Sequence, residues 1–146
     1  MTAHDTLCEL IKKFEGCKLV AYPDPGTGGD PWTVGYGCTG QDIKQHTVWT
    51  FERAEYELEK RASGCLMDAE IASPILKGQT DKIAAIADFI YNCGLSNYKS
   101  STLKKYIDTS QYSYAAKEIL RWNHAGKKVM DGLTHRRKAE SELLLK

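Results

Sequence analysis

Within "FEGCKLVAYPDPGTGGDPWTVGYGCTG", Phe14 to Gly40, a glutamate stands just before a glycine and two aspartates stand in a Pro/Gly loop. Two carboxylates held apart in different surroundings are the apparatus for breaking a glycosidic bond. One keeps a proton as the general acid, and the other stays ionised to activate water or to stabilise positive charge on the sugar. Glu15 is the candidate acid. It falls in the last turn of a short helix, where the negative end of the helix dipole disfavours a carboxylate. That placement is unhelpful for stability and useful for an acid. Asp24, nine positions on, lies in a polar loop and suits the ionised role. Thr33 heads the following strand, where its hydroxyl can orient a water. Each has an ordinary reading too, since a glutamate near a helix end and an aspartate in a Pro/Gly turn are both commonplace.

The elements that must hold these residues are legible around them. "TLCE" at Thr6–Glu9 has capping-box spacing, and Leu7, Ile11 and Phe14 recur at i, i+4 and i+7 as one apolar face. Gly16 then stands where a left-handed cap ends a helix. "KLVAY" and "WTVGYG" are β-branched and aromatic runs separated by "PDPGTGGDP", which predicts an antiparallel hairpin with a long tip. From about Thr47 the pattern turns helical. "TFERAEYELEKRA" is a charged helix with Phe51, Tyr56 and Leu58 available for packing. "TDKIAAIADFIYNCG" runs from a Thr/Asp cap to a glycine stop, with Ile83, Ile86, Ala87 and Ile90 on its buried face, and reads as the central helix. "SSTLKKYID", "QYSYAAKEILRW" and "GLTHRRKAESELLL" supply three more. The expected fold is α+β: a small β-hairpin lobe near the N-terminus beside a larger helical lobe, with a cleft between them. No repeat, low-complexity run or linker interrupts it, so residues 1–146 are expected to form a single domain.

The opening stretch resembles the phage-type lysozymes, or endolysins, of glycoside hydrolase family 24. Their motif runs Glu, eight residues, Asp, five residues, Thr, then a "xGYGHTG"-like strand and turn. Glu15 and Asp24 keep the first spacing, and "TVGYGCTG" from Thr33 keeps the strand. "DFIYNCGLSNYKSSTLKKYID" (Asp88–Asp108) looks like the family's central helix, Asn-x-Gly turn and next helix. "RWNHAGKKVMDGLTHRRKAESELLL" (Arg121–Leu145) looks like its Trp-bearing segment and closing "GLxxRRxAE" helix. The resemblance, which covers most of the chain in the family's order, implies a lysozyme-like catalytic domain with Glu15 as general acid. It makes Asp24 the second carboxylate and Thr33 the residue that positions the attacking water, with inversion at the anomeric carbon. It also makes Asn92 a polar contact to substrate. Trp32 and Tyr36, on the hairpin, either line the cleft against sugar rings or fill the lobe's own small core. The implied reaction is hydrolysis of the β-1,4 bond between N-acetylmuramic acid and N-acetylglucosamine in bacterial peptidoglycan, with no cofactor and no metal.

Two departures from the motif matter. The loop from Asp24 to Thr33 holds three extra residues and brings in Asp30 as a rival second carboxylate. Asp24 is preferred because it keeps its spacing from Glu15 and follows "AY", which leaves Asp30 as a turn residue or a substrate contact. Cys38 stands where the family often has histidine, and nothing is carried over for it.

Composition bounds the rest. The net charge of +1 hides an asymmetry: residues 1–100 carry 10 Lys/Arg against 14 Asp/Glu, and residues 101–146 carry 10 against 5. Such a basic last third suits an anionic partner such as a wall polymer, whereas no nucleic-acid module surrounds it. Five scattered cysteines without a CxxC pair point to thiols rather than to zinc or a disulfide framework, and four dispersed histidines form no metal set. His135 with Arg136 and Arg137 either touches the wall or serves the last helix, and Trp122 is expected to pack between the C-terminal helices. No signal peptide or apolar span is visible. The expectation is a monomer without stable membrane association. It would accumulate in the host cytoplasm and reach the periplasmic wall through a holin pore. Two rivals stand beside this reading. A lytic transglycosylase would leave Asp24 and Thr33 superfluous, and a non-catalytic peptidoglycan-binding protein would bind without releasing reducing ends.

Overall fold

The computed structural model describes residues 1–146, and its contacts gather into two compact units, Cys8–Arg61 and Met1–Leu7 with Ala62–Lys146. The chain is α+β, as expected, with a small β element near the N-terminus and helices through most of the rest. No helix is long and apolar enough to cross a membrane.

The first unit takes most of α1 (Ala3–Glu15) and builds on β1 (Lys18–Tyr22) and β2 (Thr33–Gly35). Leu7 and Ile11 of α1 are fully buried, as their spacing predicts. The helix starts a turn before the expected box. The reciprocal cap joins Thr2 and Asp5, whose side chains each accept from the other's backbone N–H at 3.1 Å. The strands are antiparallel, with Lys18 opposite Gly35 and Tyr22 opposite Thr33. A second, tighter hairpin closes on β2, where Val34 and Cys38 exchange both backbone hydrogen bonds at 3.0 and 2.9 Å. Its three-residue tip carries two left-handed glycines, Gly35 at φ 67° and Gly37 at φ 77°. The other edge of β1 is covered by residues 47–49, through Ala21 N–H to Thr47 O and Trp49 N–H to Leu19 O.

Helix α2 (Phe51–Ala72) runs ten residues beyond its expected end. Its buried row is Ala54, Leu58 and Ala62, one side chain per turn. Phe51 and Tyr56 fall off that row and are 52% and 61% exposed, so of the three residues expected to pack only Leu58 does.

The second unit is helical: α3 (Thr80–Cys93), α4 (Leu95–Lys99), α5 (Thr102–Asp108), α6 (Tyr112–Ile119) and α7 (Asp131–Leu144). Every residue of α3 from Ile83 to Ile90 is buried, which makes it the centre of this unit. Helix α7 packs on both α3 and α6. Phe89 meets Trp122 edge-on at 5.2 Å, so the tryptophan packs on the core as expected. Between α6 and α7 lies a small hairpin that the sequence reading misses, β3 (His124–Ala125) and β4 (Lys128–Val129).

Arg136 and Arg137, on α7, are internal. Arg136 grips Asp88 of α3 with two hydrogen bonds of 2.9 and 2.8 Å, and Arg137 donates to Glu140 at 2.9 Å. Arg137 Nε also lies 2.7 Å from Glu140 Oε1, an ion contact whose angle is not that of a hydrogen bond. Complete burial, then the neighbouring Asp88 carboxylate, pushes the Glu140 carboxyl well above its usual range. Burial works in the same direction on Asp88, but hydrogen bonds from Glu140 and Arg136 outweigh it and hold that carboxyl low. One proton between the two carboxyls fits both directions. Of the two roles open to the arginines, their side chains take the structural one.

Candidate active site

Glu15 is the last residue of α1, and Gly16, at φ 67°, turns the chain out of the helix toward β1. Its half-buried side chain lies over the α-carbon of Gly37, at the tip of the Val34–Cys38 hairpin. A Cβ placed on Gly37 would be 2.6 Å from Glu15 Oε1 and 2.7 Å from Cδ. Gly35 has a different neighbour, since a Cβ there would lie 2.9 Å from the Trp49 ring. The two glycines of "GYG" thus do different work: Gly35 admits the core tryptophan and Gly37 seats the carboxyl.

Tyr36, between them, is 5% exposed. Its hydroxyl donates to Glu55 Oε1 at 2.9 Å, and Glu55 Oε2 meets Lys12 Nζ at 3.2 Å. Burial first, then the bond to Glu55, drives the Tyr36 hydroxyl far above the ordinary tyrosine range, so it stays a neutral donor. Of the two places open to this ring, it takes the core of its unit and braces the tip that carries Gly37. Lys12, one turn before the end of α1, links that brace back to the helix bearing Glu15.

Thr33 opens β2, half-buried, directly across the ladder from Tyr22. The Tyr22 hydroxyl is raised, by burial first and by the negative charge of Glu15 second. Tyr22 therefore relates the two candidate residues, sharing a register position with Thr33 and the electrostatic field of Glu15. Sequence reasoning missed it, although its place two residues before Asp24, at the strand end, was the available signal.

Asp24 begins a loop that closes on its own backbone. Its N–H donates to Gly29 O at 2.9 Å, and its carbonyl accepts from Thr27 N at 3.2 Å and Gly28 N at 2.8 Å. The side chain is half-buried, with Oδ2 3.2 Å from where a Cβ on Gly26 would stand. Asp30 is exposed, and its carbonyl accepts from Thr27 Oγ1 at 2.6 Å, the behaviour of a turn residue. Trp32 is half-buried just before Thr33, after a cis Asp30–Pro31 peptide.

Glu15, Asp24, Thr33, Trp32 and Tyr36 all belong to the unit Cys8–Arg61, whereas Asn92 belongs to the other. Asn92, in the last turn of α3, lines a pocket of about 520 Å³ with Asn97, Arg121, Trp122 and His124. Chemically, the first unit offers a carboxyl seated on a glycine turn, a second carboxyl in a self-closed polar loop, and a hydroxyl on a strand. These are the parts of an acid and a water-activating pair.

The chain is similar to known proteins along most of its length. The chain is 37% identical over 138 residues to an endolysin of Bacillus phage B103, covering 93% of this chain and 51% of that protein. It thus spans about half the length of that relative. It is 34% identical over 140 residues to an endolysin of Acyrthosiphon pisum secondary endosymbiont phage 1, covering 92% and 91% of the two chains. Among solved structures, the endolysin from Escherichia coli O157:H7 phage FAHEc1 superposes with a TM-score of 0.83 at 26% identity, over 99% of this chain and 94% of that one. Residues 12–140, which include Glu15, Asp24, Thr33 and Asn92, match the phage lysozyme family, and the chain belongs to it.

Proposed function

We propose that the chain is a muramidase of glycoside hydrolase family 24 that hydrolyses the β-1,4 bond between N-acetylmuramic acid and N-acetylglucosamine in peptidoglycan. The observation that carries this reading is the seating of Glu15 on Gly37 in the same compact unit as Asp24 and Thr33. In this reading Glu15 donates its proton to the glycosidic oxygen as the bond from the anomeric carbon to that oxygen breaks. Asp24 takes a proton from water, which the Thr33 hydroxyl orients, and the water oxygen bonds to the opposite face of the anomeric carbon. The product is inverted, a course that in glycosidases generally needs about 6.5–9.5 Å between the two carboxyls to admit the water. Trp32 and Asn92 contact the sugar chain, and Tyr36 supports the turn beneath Glu15. The proposal extends to the setting. A monomer waits in the host cytoplasm, passes a holin pore and lyses the host by cutting its wall.

Mass spectrometry of products released from purified peptidoglycan tests the chemistry. Products ending in reducing N-acetylmuramic acid, absent with Glu15→Gln, are expected. Anhydro-muramic ends would make the enzyme a lytic transglycosylase and leave Asp24 and Thr33 without their role.

A further inference from the structure

Residues 101–146 carry ten Lys and Arg against five Asp and Glu, and their cations have different fates. Arg136 and Arg137 are buried against Asp88 and Glu140. Lys104 is paired with Asp108 at 2.6 Å. Segment 119–130, "ILRWNHAGKKVM", between Glu118 and Asp131, holds Arg121, Lys127 and Lys128 and no carboxylate. Arg121 is 78% exposed, though it reaches Glu118 at 3.3 Å.

The local fold presents this charge. Strands β3 and β4 form a two-stranded ladder of their own, and every residue from His124 to Gly132 is exposed. Ala125 pairs with Lys128 around a two-residue turn, Gly126–Lys127. Gly126 has φ 63° and Lys127 does not share the left-handed region, the pattern of a II′ turn with glycine first. Lys127 therefore stands at the tip and Lys128 at the first ladder position, and neither is engaged in an ion pair. A hairpin this short, burying no side chain, is marginal as a source of fold stability.

We propose that this hairpin is an electrostatic docking arm for peptidoglycan itself, with Lys127 and Lys128 meeting carboxylates that recur on its stem peptides. The proposal rests on the muramidase reading, which names the polymer. Charge complementarity selects the partner: a net-like polymer with repeated carboxylates rewards a few weak cationic contacts, because each bound site raises the effective concentration of the next. Single exposed pairs are weak and screened by salt, so the arm can hold the chain near the wall without fixing it in one place.

The test is cosedimentation of Glu15→Gln, with and without Lys127→Ser/Lys128→Ser, with purified sacculi from about 20 mM to about 0.5 M NaCl. Removing the two lysines should weaken binding roughly threefold to tenfold at low salt, and the two curves should merge at high salt. Sacculi whose carboxylates are converted to methylamides should erase the difference. Equal affinity and equal salt dependence overturn the proposal. So does unchanged binding to sacculi with lost binding to phosphatidylglycerol vesicles, which would make the partner a membrane. With Glu15 restored, the lysine variant should release reducing ends from the carboxylate-blocked sacculi at the parent rate, and an equal fall on blocked and native sacculi overturns the docking role. The muramidase reading fails separately, if the parent chain releases no reducing ends from sacculi.

Discussion

The carboxyl of Glu15 rests on the α-carbon of Gly37, so close that a methyl group there would overlap Oε1 at 2.6 Å. Gly37→Ala should therefore displace the acid as well as strain a backbone at φ 77°. We expect activity on peptidoglycan to fall by about 10²-fold, the scale of an ångström of misplacement, with a stability loss of about 1–2 kcal/mol. Gly126→Ala supplies the comparison. It has the same kind of φ, nothing within 4 Å of the added carbon and a place on a hairpin that adds little to the fold, so stability should change little and reducing ends should still be released from sacculi with blocked carboxylates.

Asp24→Asn and Asp30→Asn separate the two loop aspartates. The first should lower kcat by about 10²–10⁴-fold, as expected for loss of a positioned base, with little change in thermal midpoint. The second, altering an exposed side chain whose residue serves the turn through its carbonyl, should leave kcat within about twofold. Reducing-end release under saturating substrate reads both. The reverse order would give the second-carboxylate role to Asp30.

Tyr36→Phe removes the hydrogen bond to Glu55 and leaves the ring in place. Urea unfolding should show a loss of about 1–2 kcal/mol, because the hydroxyl serves a charged acceptor that keeps only Lys12 afterwards. KM should hold, since the ring is buried and braces the turn from within.

Glu140 and Asp88 give stability a pH dependence of opposite signs. The folded-state pKa of Glu140 lies above its ordinary value of 4.5, so its contribution is full below that value and is lost as pH rises toward the folded pKa. Asp88 is held below its ordinary 3.8, so its contribution is present above that value and is lost as pH falls. Glu140→Gln keeps an uncharged donor beside Asp88, and denaturant unfolding followed from about pH 5 to pH 8 should be flatter than in the parent. Asp88→Ala leaves Arg136 charged and buried without its bidentate partner, which should cost about 3–5 kcal/mol.

Much of this arrangement was legible because local chemistry and tertiary position agree. Leu7 and Ile11 repeat at helical spacing and are buried, the Thr80–Cys93 helix stops at Gly94 as its glycine implies, and the two strands pair antiparallel. The candidate residues followed from their place at helix end, loop and strand start. What the sequence hid depends on partners distant along the chain. Helix α2 runs through Gly64 because Ala62 and Ala69 are buried on its far half, which propensity alone does not reveal. "THRRK" leaves its two arginines open between wall and helix, because Asp88, which Arg136 grips, lies 48 residues earlier in the chain. Tyr22 looked like an ordinary strand aromatic until register set it across from Thr33. The β3–β4 turn did carry a signal, a glycine followed by lysine between short extended runs, but two ladder pairs make too brief a pattern to stand out.

The loop after Asp24 ties its backbone to itself, through Thr27, Gly28 and Gly29, while the Tyr22–Thr33 pairing that aligns the strands lies outside it. Length can therefore vary between those fixed ends without shifting the register or carrying Thr33 to the other face of the sheet. For a flexible segment, closure entropy grows only with the logarithm of loop length, so three added residues cost well under about 1 kcal/mol. This is a site where the chain can lengthen over evolutionary time, and lay new side chains beside Asp24, while the strands on either side keep their places.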